Sequence, residues 1–317
     1  MSNSSFDHLY IEPKAGVRIP RIMVAGGAIK TAEHVKKLAR VPNFSGEWGS
    51  ITTPMLPGNG GRDYYEHYED GLGGSLEFAL NSLGLPNPGM DYVEKHAKDL
   101  IMLWADNGKT LPINISGNGA NDTIILLQRA LRAGFRLITV NGACPNKVDQ
   151  PILCYDKGAV DEVFYYTDNI IRETDAVILW KVSLGMPRPI LAYNRACVAN
   201  SKTFSGIITG NTIPNGLYYL KDGTSAVKTT NGITRGGVSG PAVRPIALDH
   251  TQFCAEGMPE GKIVLGCGGI STLSEVLQFI DGAGADGVQM QTAWRKEGGR
   301  PEFVIDLMTD LHDRRSN

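Results

Sequence analysis

Apolar positions along this chain fall into two alternating patterns. Short β-rich runs occur at Arg21–Ala25, Trp48–Thr53, Leu111–Ser116, Leu137–Asn141, Ala176–Val182, Ser205–Thr209, Lys262–Leu265 and Asp286–Gln291. Each is followed by a longer segment in which apolar residues return at helical spacing. These segments are Thr31–Leu38, Met90–Trp104, Asn121–Ala133, Val160–Arg172, Arg188–Ala199, Ala242–Ala255, Leu273–Gly282 and Glu302–Leu311. The third carries Ile124, Leu127 and Leu131 on one face, with Asn121 or Asp122 as N-cap and Gly134 as stop. The seventh opens with Thr272 and Glu275 at the spacing of a capping box. Eight strand–helix units without a composition shift predict one (β/α)8 TIM barrel, an α/β fold spanning residues 1–317. A doubly wound sheet, the rival, calls for fewer units or a second domain.

Two connections exceed simple turns, 54–88 after strand two and 213–236 after strand six. Both leave the C-terminal ends of strands, where a barrel carries its active site, and read as walls or a lid over it. The second contains KDGTS at 221–225, a hairpin-turn signature. Sequence repeats and low-complexity tracts are absent.

Composition narrows the class. With 317 residues, 42% of them apolar, the chain can bury a large core, and a formal charge of −2 gives no basic footprint for nucleic acid or anionic membrane. No apolar run approaches the roughly 18 residues of a membrane span. The opening MSNSSFDHLYIEPK lacks the apolar stretch of a secretory signal. The five cysteines, Cys144, Cys154, Cys197, Cys254 and Cys267, are odd in number and never spaced as C-x-x-C. Neither a disulfide framework nor a metal site is indicated, and a reduced, cytoplasmic, soluble protein is expected.

In a barrel the strand ends converge whatever their separation in sequence. Strand four ends in NGACPN at 141–146, a thiol flanked by amides. Alone it reads more readily as a packed cysteine in a loop than as a reaction centre. Lys181, inside the apolar AVILWKVSL of strand five, is costly to bury without an electron-rich partner. A paired core lysine, a Schiff-base amine and a cation against a flavin edge all remain open for it. Asn81, Asn141, Asn146 and Asn211 suit the donor–acceptor reading of a cyclic amide. Gly268-Gly269, ahead of the Thr272 cap and beside Thr292, suits phosphate held by backbone N–H groups after strands seven and eight.

Taken in order, these segments resemble the class 1 dihydroorotate dehydrogenases, FMN enzymes on a (β/α)8 barrel. NSLGLPN at 81–87 resembles the family's substrate-side loop, and NGACPN its N-L-S-C-P-N. KVDQPILCYD at 147–156 resembles the active-site loop of the fumarate-using class 1A enzymes. Lys181, NTIPNGL at 211–217, GGVSGPAVRPIAL at 236–248 and GCGGI at 266–270 follow in register. The 236–248 run is also similar to the FMN domain of dihydropyrimidine dehydrogenase. A cysteine at 144, where the membrane-bound class has serine, points to the soluble class.

The resemblance implies that Cys144 is the base taking the substrate's C5 proton while C6 delivers hydride to FMN. It places Asn81, Asn141, Asn146, Asn211 and Thr212 around the substrate ring. Lys181, Ala25, Gly26, Ser50, Ser116, Asn141, Thr212 and Gly237 would lie along the flavin, and Gly268, Gly269, Gln291 and Thr292 at its phosphate. Fumarate as electron acceptor and a homodimer are implied as well. An ordinary thiol, pKa about 8.5, is only a few per cent ionised at neutral pH, so flavin reduction is expected to quicken as pH rises.

Two departures stand out. The family's lysine at the end of strand two aligns with Gly49, leaving Arg62 or Lys147 to meet the substrate carboxylate. Gln291 stands where the family usually has glycine and is expected to crowd the phosphate loop. Three alternatives follow: a same-family enzyme for a dihydropyrimidine or cyclic amide lacking the carboxylate, a flavin binder without turnover, and a non-redox phosphate-binding barrel with a Schiff base at Lys181.

Overall fold

Parallel strands covered on both faces by other elements read as unbroken apolar runs. The eight short runs of this chain are such strands. The computed structural model describes residues 8–68, 74–144, 151–171 and 174–316. Its barrel strands are β1 (Ile22–Ile29), β2 (Gly46–Ile51), β3 (Pro112–Ile115), β4 (Leu137–Asn141), β5 (Val177–Lys181), β6 (Gly206–Ile208), β7 (Ile263–Cys267) and β8 (Gly287–Met290). They pair in parallel in that order, and β8 closes on β1.

The helices are α1 (Ala32–Ala39), α2 (Met90–Asp106), α3 (Gly119–Arg132), α4 (Lys157–Tyr166), α5 (Arg188–Asn200), α6 (Arg244–Glu256), α7 (Leu273–Leu277), α8 (Thr292–Lys296) and α9 (Pro301–Ser316). All eight expected helical segments are present, with shifted ends. α3 begins at Gly119, so Asp122 lies inside the first turn, where it accepts from the amide of Asn118 (2.7 Å) and the hydroxyl of Thr53. Neither Asn121 nor Asp122 is the N-cap. α4 starts at Lys157 because Asp156 caps it through the amide of Ala159 (3.1 Å). It gives way to a wide π turn at Thr167–Ile171, and Arg172 lies outside the described residues. At α7 the expected capping box is complete.

Side chains alternate across each strand. On β5, Ile178 and Trp180 join the large core between strands and helices, whereas Val177 and Leu179 point into the barrel. Lys181 is in phase with the latter pair. The inner cluster of Met23, Leu137, Val177, Leu179, Ile208, Ile263 and Leu265 is sealed at the N-terminal end by Val17 and Ile19. These belong to an antiparallel hairpin, Tyr10–Lys14 with Val17–Pro20, in a stretch where the sequence pattern assigns no element.

Both long connections build structure over the opposite end. Strands Tyr64–Tyr68 and Leu76–Asn81 from the first, with Ile213–Gly216 and Gly236–Ser239 from the second, form one four-stranded antiparallel sheet. Leu80, Ala226 and Val227, with Tyr65, Phe78, Tyr218 and Val238 against them, give this roof its own small core. The 221–225 segment makes the expected turn: Leu220 and Thr224 pair at 2.8 Å, and Asp222 accepts from the amide of Thr224 at 2.9 Å.

Candidate active site

Between the barrel's C-terminal end and the roof lies a cavity of about 360 Å³. Cys144, Asn81, Asn141, Asn211, Thr212, Lys181, Ala25, Gly26, Ser50, Gly268, Gly269, Gln291 and Thr292 all line it. Residues up to 267 positions apart thus meet because each ends a strand or a roof segment.

The amides form a connected set. Asn141 donates to Ser50 Oγ (3.2 Å), and its Oδ1 accepts from the Ala143 amide (3.2 Å) and from Asn211 Nδ2 (3.2 Å). Asn211 also donates to the carbonyl of Ala143 (3.3 Å), and its Oδ1 accepts from the amide of Thr212 (3.0 Å). The backbone that leads into Cys144 is therefore fixed by the same amides that face the cavity. Asn81 ends its roof strand opposite Gly237 and donates to that carbonyl (3.3 Å). Asn146 and Lys147 lie outside the described residues.

Place in the cavity, not burial, separates the cysteines, since Cys144 is buried like Cys154, Cys254 and Cys267. Burial pushes the thiols of Cys154 and Cys254 up to about 12 and also raises Cys197 and Cys267. For Cys267, the nearby Lys181 opposes the rise. Cys144 and Cys267 are the two that line the cavity.

The phosphate-side loop differs in detail from the expectation. Gly268 (φ +135°) and Gly269 (φ +73°) adopt backbone that only glycine takes readily. The amides of Ser271 (2.7 Å) and Thr272 (3.0 Å), however, are taken by Glu275 in the capping box, so the start of α7 does not offer them to a ligand. The side chain of Gln291 lies over Gly27. A Cβ there would stand 3.1 Å from Gln291 Nε2, and Gly27 (φ +105°) leaves the room. Thr292 Oγ1 bonds Ser239 Oγ at 3.0 Å and ties this end of the barrel to the roof.

Two expected cofactor residues sit elsewhere. Ser116 is buried at the end of β3 and does not line the cavity, nor does Gly237. Gly237 instead allows a close approach, since a Cβ on it would meet Thr212 Oγ1 at 2.3 Å. At Gly49 (φ +120°) no side chain fits at all, because a Cβ would stand 2.3 Å from the carbonyl of Asn114. Arg62 is exposed and bonded to Thr224 (3.4 Å) and the carbonyl of Ser225, away from the cavity.

Other lining residues escaped the sequence reading. Lys30, just beyond β1, is half-buried in the cavity wall; burial, then the charge of Arg295, lowers its pKa. Asn114 and Gln289 form the floor. Asn114 donates to Glu47 (2.9 Å), while its Oδ1 is buried with no hydrogen-bond partner, as is Thr212 Oγ1. Lys181 is buried and donates to Gln289 Oε1 (2.9 Å). A polar residue inside a strand is the signal that marks Asn114, Gln289 and Glu47, once the strand's inward face is known. Among the described residues, no group of His, Cys, Asp or Glu is placed to hold a metal, and no helix is long and apolar enough to cross a membrane.

The sequence profile of the family described as dihydroorotate dehydrogenase matches residues 18–313. Dihydroorotate dehydrogenase A (fumarate) of Lactococcus lactis subsp. lactis is 30% identical over 247 residues, covering 74% of this chain and 73% of its own. Dihydroorotate dehydrogenase (fumarate) of Lachancea kluyveri is 32% identical over 231 residues, covering 69% and 68%.

Proposed function

The chain belongs to the dihydroorotate dehydrogenase family, and on that premise we propose that it oxidises dihydroorotate to orotate with FMN as cofactor and Cys144 as base. The observation that carries this reading is the convergence of Cys144, Asn81, Asn141, Asn211 and Lys181 on one cavity.

The residues present fit a flavin. Asn114 Oδ1 and Thr212 Oγ1 are buried polar atoms without protein partners, and leaving such atoms unmet costs free energy. Lys181, Ala25, Gly26, Ser50 and Asn114 would border the ring system, and Gly268, Gly269, Gln291 and Thr292 the phosphate. Bound there, FMN supplies the acceptor for the hydride leaving substrate C6. The protein's part is proton chemistry and placement. The Cys144 thiolate takes the C5 proton and becomes a thiol, as the C5–C6 double bond forms. Asn81, Asn141 and Asn211 hold the ring's amide groups so that C5 faces the sulfur. The relatives, dihydroorotate dehydrogenases (fumarate), support fumarate as the oxidant, and resemblance to class 1A supports a homodimer.

A second reading, oxidation of a dihydropyrimidine without a carboxylate, draws on Gly49, where no cation can stand. The Schiff-base reading of Lys181 loses its support to the family match. Anaerobic mixing of the flavin-loaded protein with dihydroorotate is expected to bleach its visible band within seconds. A band untouched by dihydroorotate but bleached by dihydrouracil would replace the first reading with the second.

A further inference from the structure

Beneath the cavity, fully buried within the barrel, lies the carboxylate of Glu47, which none of the roles above employs. Four strands send donors to it. Its Oε2 accepts from the amide of Gly26 (2.6 Å) and from Asn114 Nδ2 (2.9 Å). Its Oε1 accepts from Gln289 Nε2 (2.7 Å) and from the hydroxyl of Thr139. An ionised carboxylate offers about four acceptor positions, so these donors fill it.

A side-chain amide can be turned either way, and here the carboxylate decides both turns. With its NH2 on Glu47, Asn114 presents an acceptor, the buried Oδ1 that lacks a partner. With its NH2 on Glu47, Gln289 presents Oε1 to Lys181 Nζ at 2.9 Å. The cavity floor thus combines a fixed acceptor with an ammonium held at a fixed place.

We propose that Glu47 is a positioning residue that sets the donor–acceptor pattern of the cavity floor, selecting a ring edge in which an N–H stands beside carbonyl or imine acceptors. The pyrimidine edge of a flavin has this pattern. The inference rests on the flavin reading and extends it to a residue that the ligand does not touch.

Glu47→Gln tests it. The amide that replaces the carboxylate keeps one accepting oxygen, and the Gly26 N–H cannot turn away, so that oxygen stays on the Gly26–Asn114 side. Its NH2 then faces Thr139, whose hydroxyl rotates to accept, and Gln289, which must turn over. The turned Gln289 points its own NH2 at the Lys181 ammonium. Loss of a charge-assisted contact of this kind is expected to raise the Kd for FMN about tenfold or more, read by flavin fluorescence on the full chain. Adding Gln289→Glu returns an acceptor to both neighbours and is expected to bring the Kd back to within about threefold of wild type. A purely structural role for Glu47 would lower Tm in E47Q without this loss and rescue of FMN affinity.

Wild-type affinity in E47Q overturns the inference, as does a folded double variant as weak as E47Q. Should E47Q fail to fold, Gln289→Leu cuts the same connection while three donors still serve the carboxylate. The same loss is expected there, and unchanged affinity overturns the inference. If the wild-type protein takes up no FMN, the flavin reading fails and the inference falls with it. If it binds FMN and the variants match it, only the role of Glu47 is removed.

Discussion

Single residues at this site are defined by what surrounds them. Besides Cys144 the chain has four cysteines, and burial raises the pKa of each of them, whereas the Cys144 thiol stands in the wall of the cavity among the amides. Cys144→Ser is expected to retain FMN while slowing flavin reduction by dihydroorotate about 100-fold or more, the usual span for a lost general base. Stopped-flow absorbance checks this, and a near-normal rate would remove Cys144 from the role. For the cation absent at Gly49 we propose Lys30. Position 49 has no space for a side chain, and Arg62 is bonded elsewhere, whereas Lys30 lines the cavity. A charge-assisted contact to a carboxylate is worth roughly 1.5–3 kcal/mol. Lys30→Met is therefore expected to raise KM for dihydroorotate about tenfold and leave dihydrouracil unaffected. An equal effect on both would assign Lys30 to the scaffold.

At the scale of elements, alternation along the strands governs the site. Val177, Leu179 and Lys181 share one face of β5, so the strand that packs the barrel also delivers its buried cation. Glu47 on β2, Asn114 on β3, Thr139 on β4 and Gln289 on β8 form a polar layer above the apolar inner cluster. Helix ends follow the same local logic. Lys109 donates to the carbonyls of Leu38 (2.9 Å), in the last turn of α1, and of Val41 (2.8 Å), just past it, lies over the Trp104 ring, and is pushed down to about 8 by burial. An unfolded lysine keeps its proton up to about 10.4. Between these values the unfolded chain binds more protons than the folded one, so this group's contribution to stability rises with pH. The stability difference between wild type and Lys109→Met is therefore expected to grow from pH 7.5 to 10 in urea titrations. A flat or falling difference would contradict the assignment.

At the scale of the molecule, closure of eight strands in sequence order brings the ends of β1 to β8 to one rim. The two long connections then pair with each other above it. The cavity's asparagines come from β4, the segment after β6 and the roof, and Gly268, Gly269, Gln291 and Thr292 from the ends of β7 and β8, so the cavity has two chemically distinct ends. A cofactor held only by the folded state must stabilise that state. At a free concentration about 100 times its Kd, FMN is expected to add roughly 2.7 kcal/mol to folding stability. Thermal unfolding with FMN and with riboflavin, which lacks the phosphate, would show whether the phosphate end contributes; equal shifts would count against it.

The sequence by itself determined the eight units, the barrel and thirteen of the residues that line the cavity. Periodicity, caps and strand-end motifs are local properties, and a barrel converts strand ends into neighbours. Cys144, the three described asparagines, Lys181 and the Gly268-Gly269 turn were legible on that basis. The tertiary structure alone decided the rest. Which face of β2 or β3 points inward depends on register across the barrel, so the polar character of Glu47 and Asn114 within their strands acquired meaning only from the fold. The N-terminal hairpin is defined by what it seals, and Ser116 and Gly237 lie off the cavity. Lys30 reaches the wall through a bulged stretch between Val24 and Ile29 of β1. Gly49 read in sequence as a missing lysine, but the carbonyl of Asn114 makes it a position where no side chain can stand.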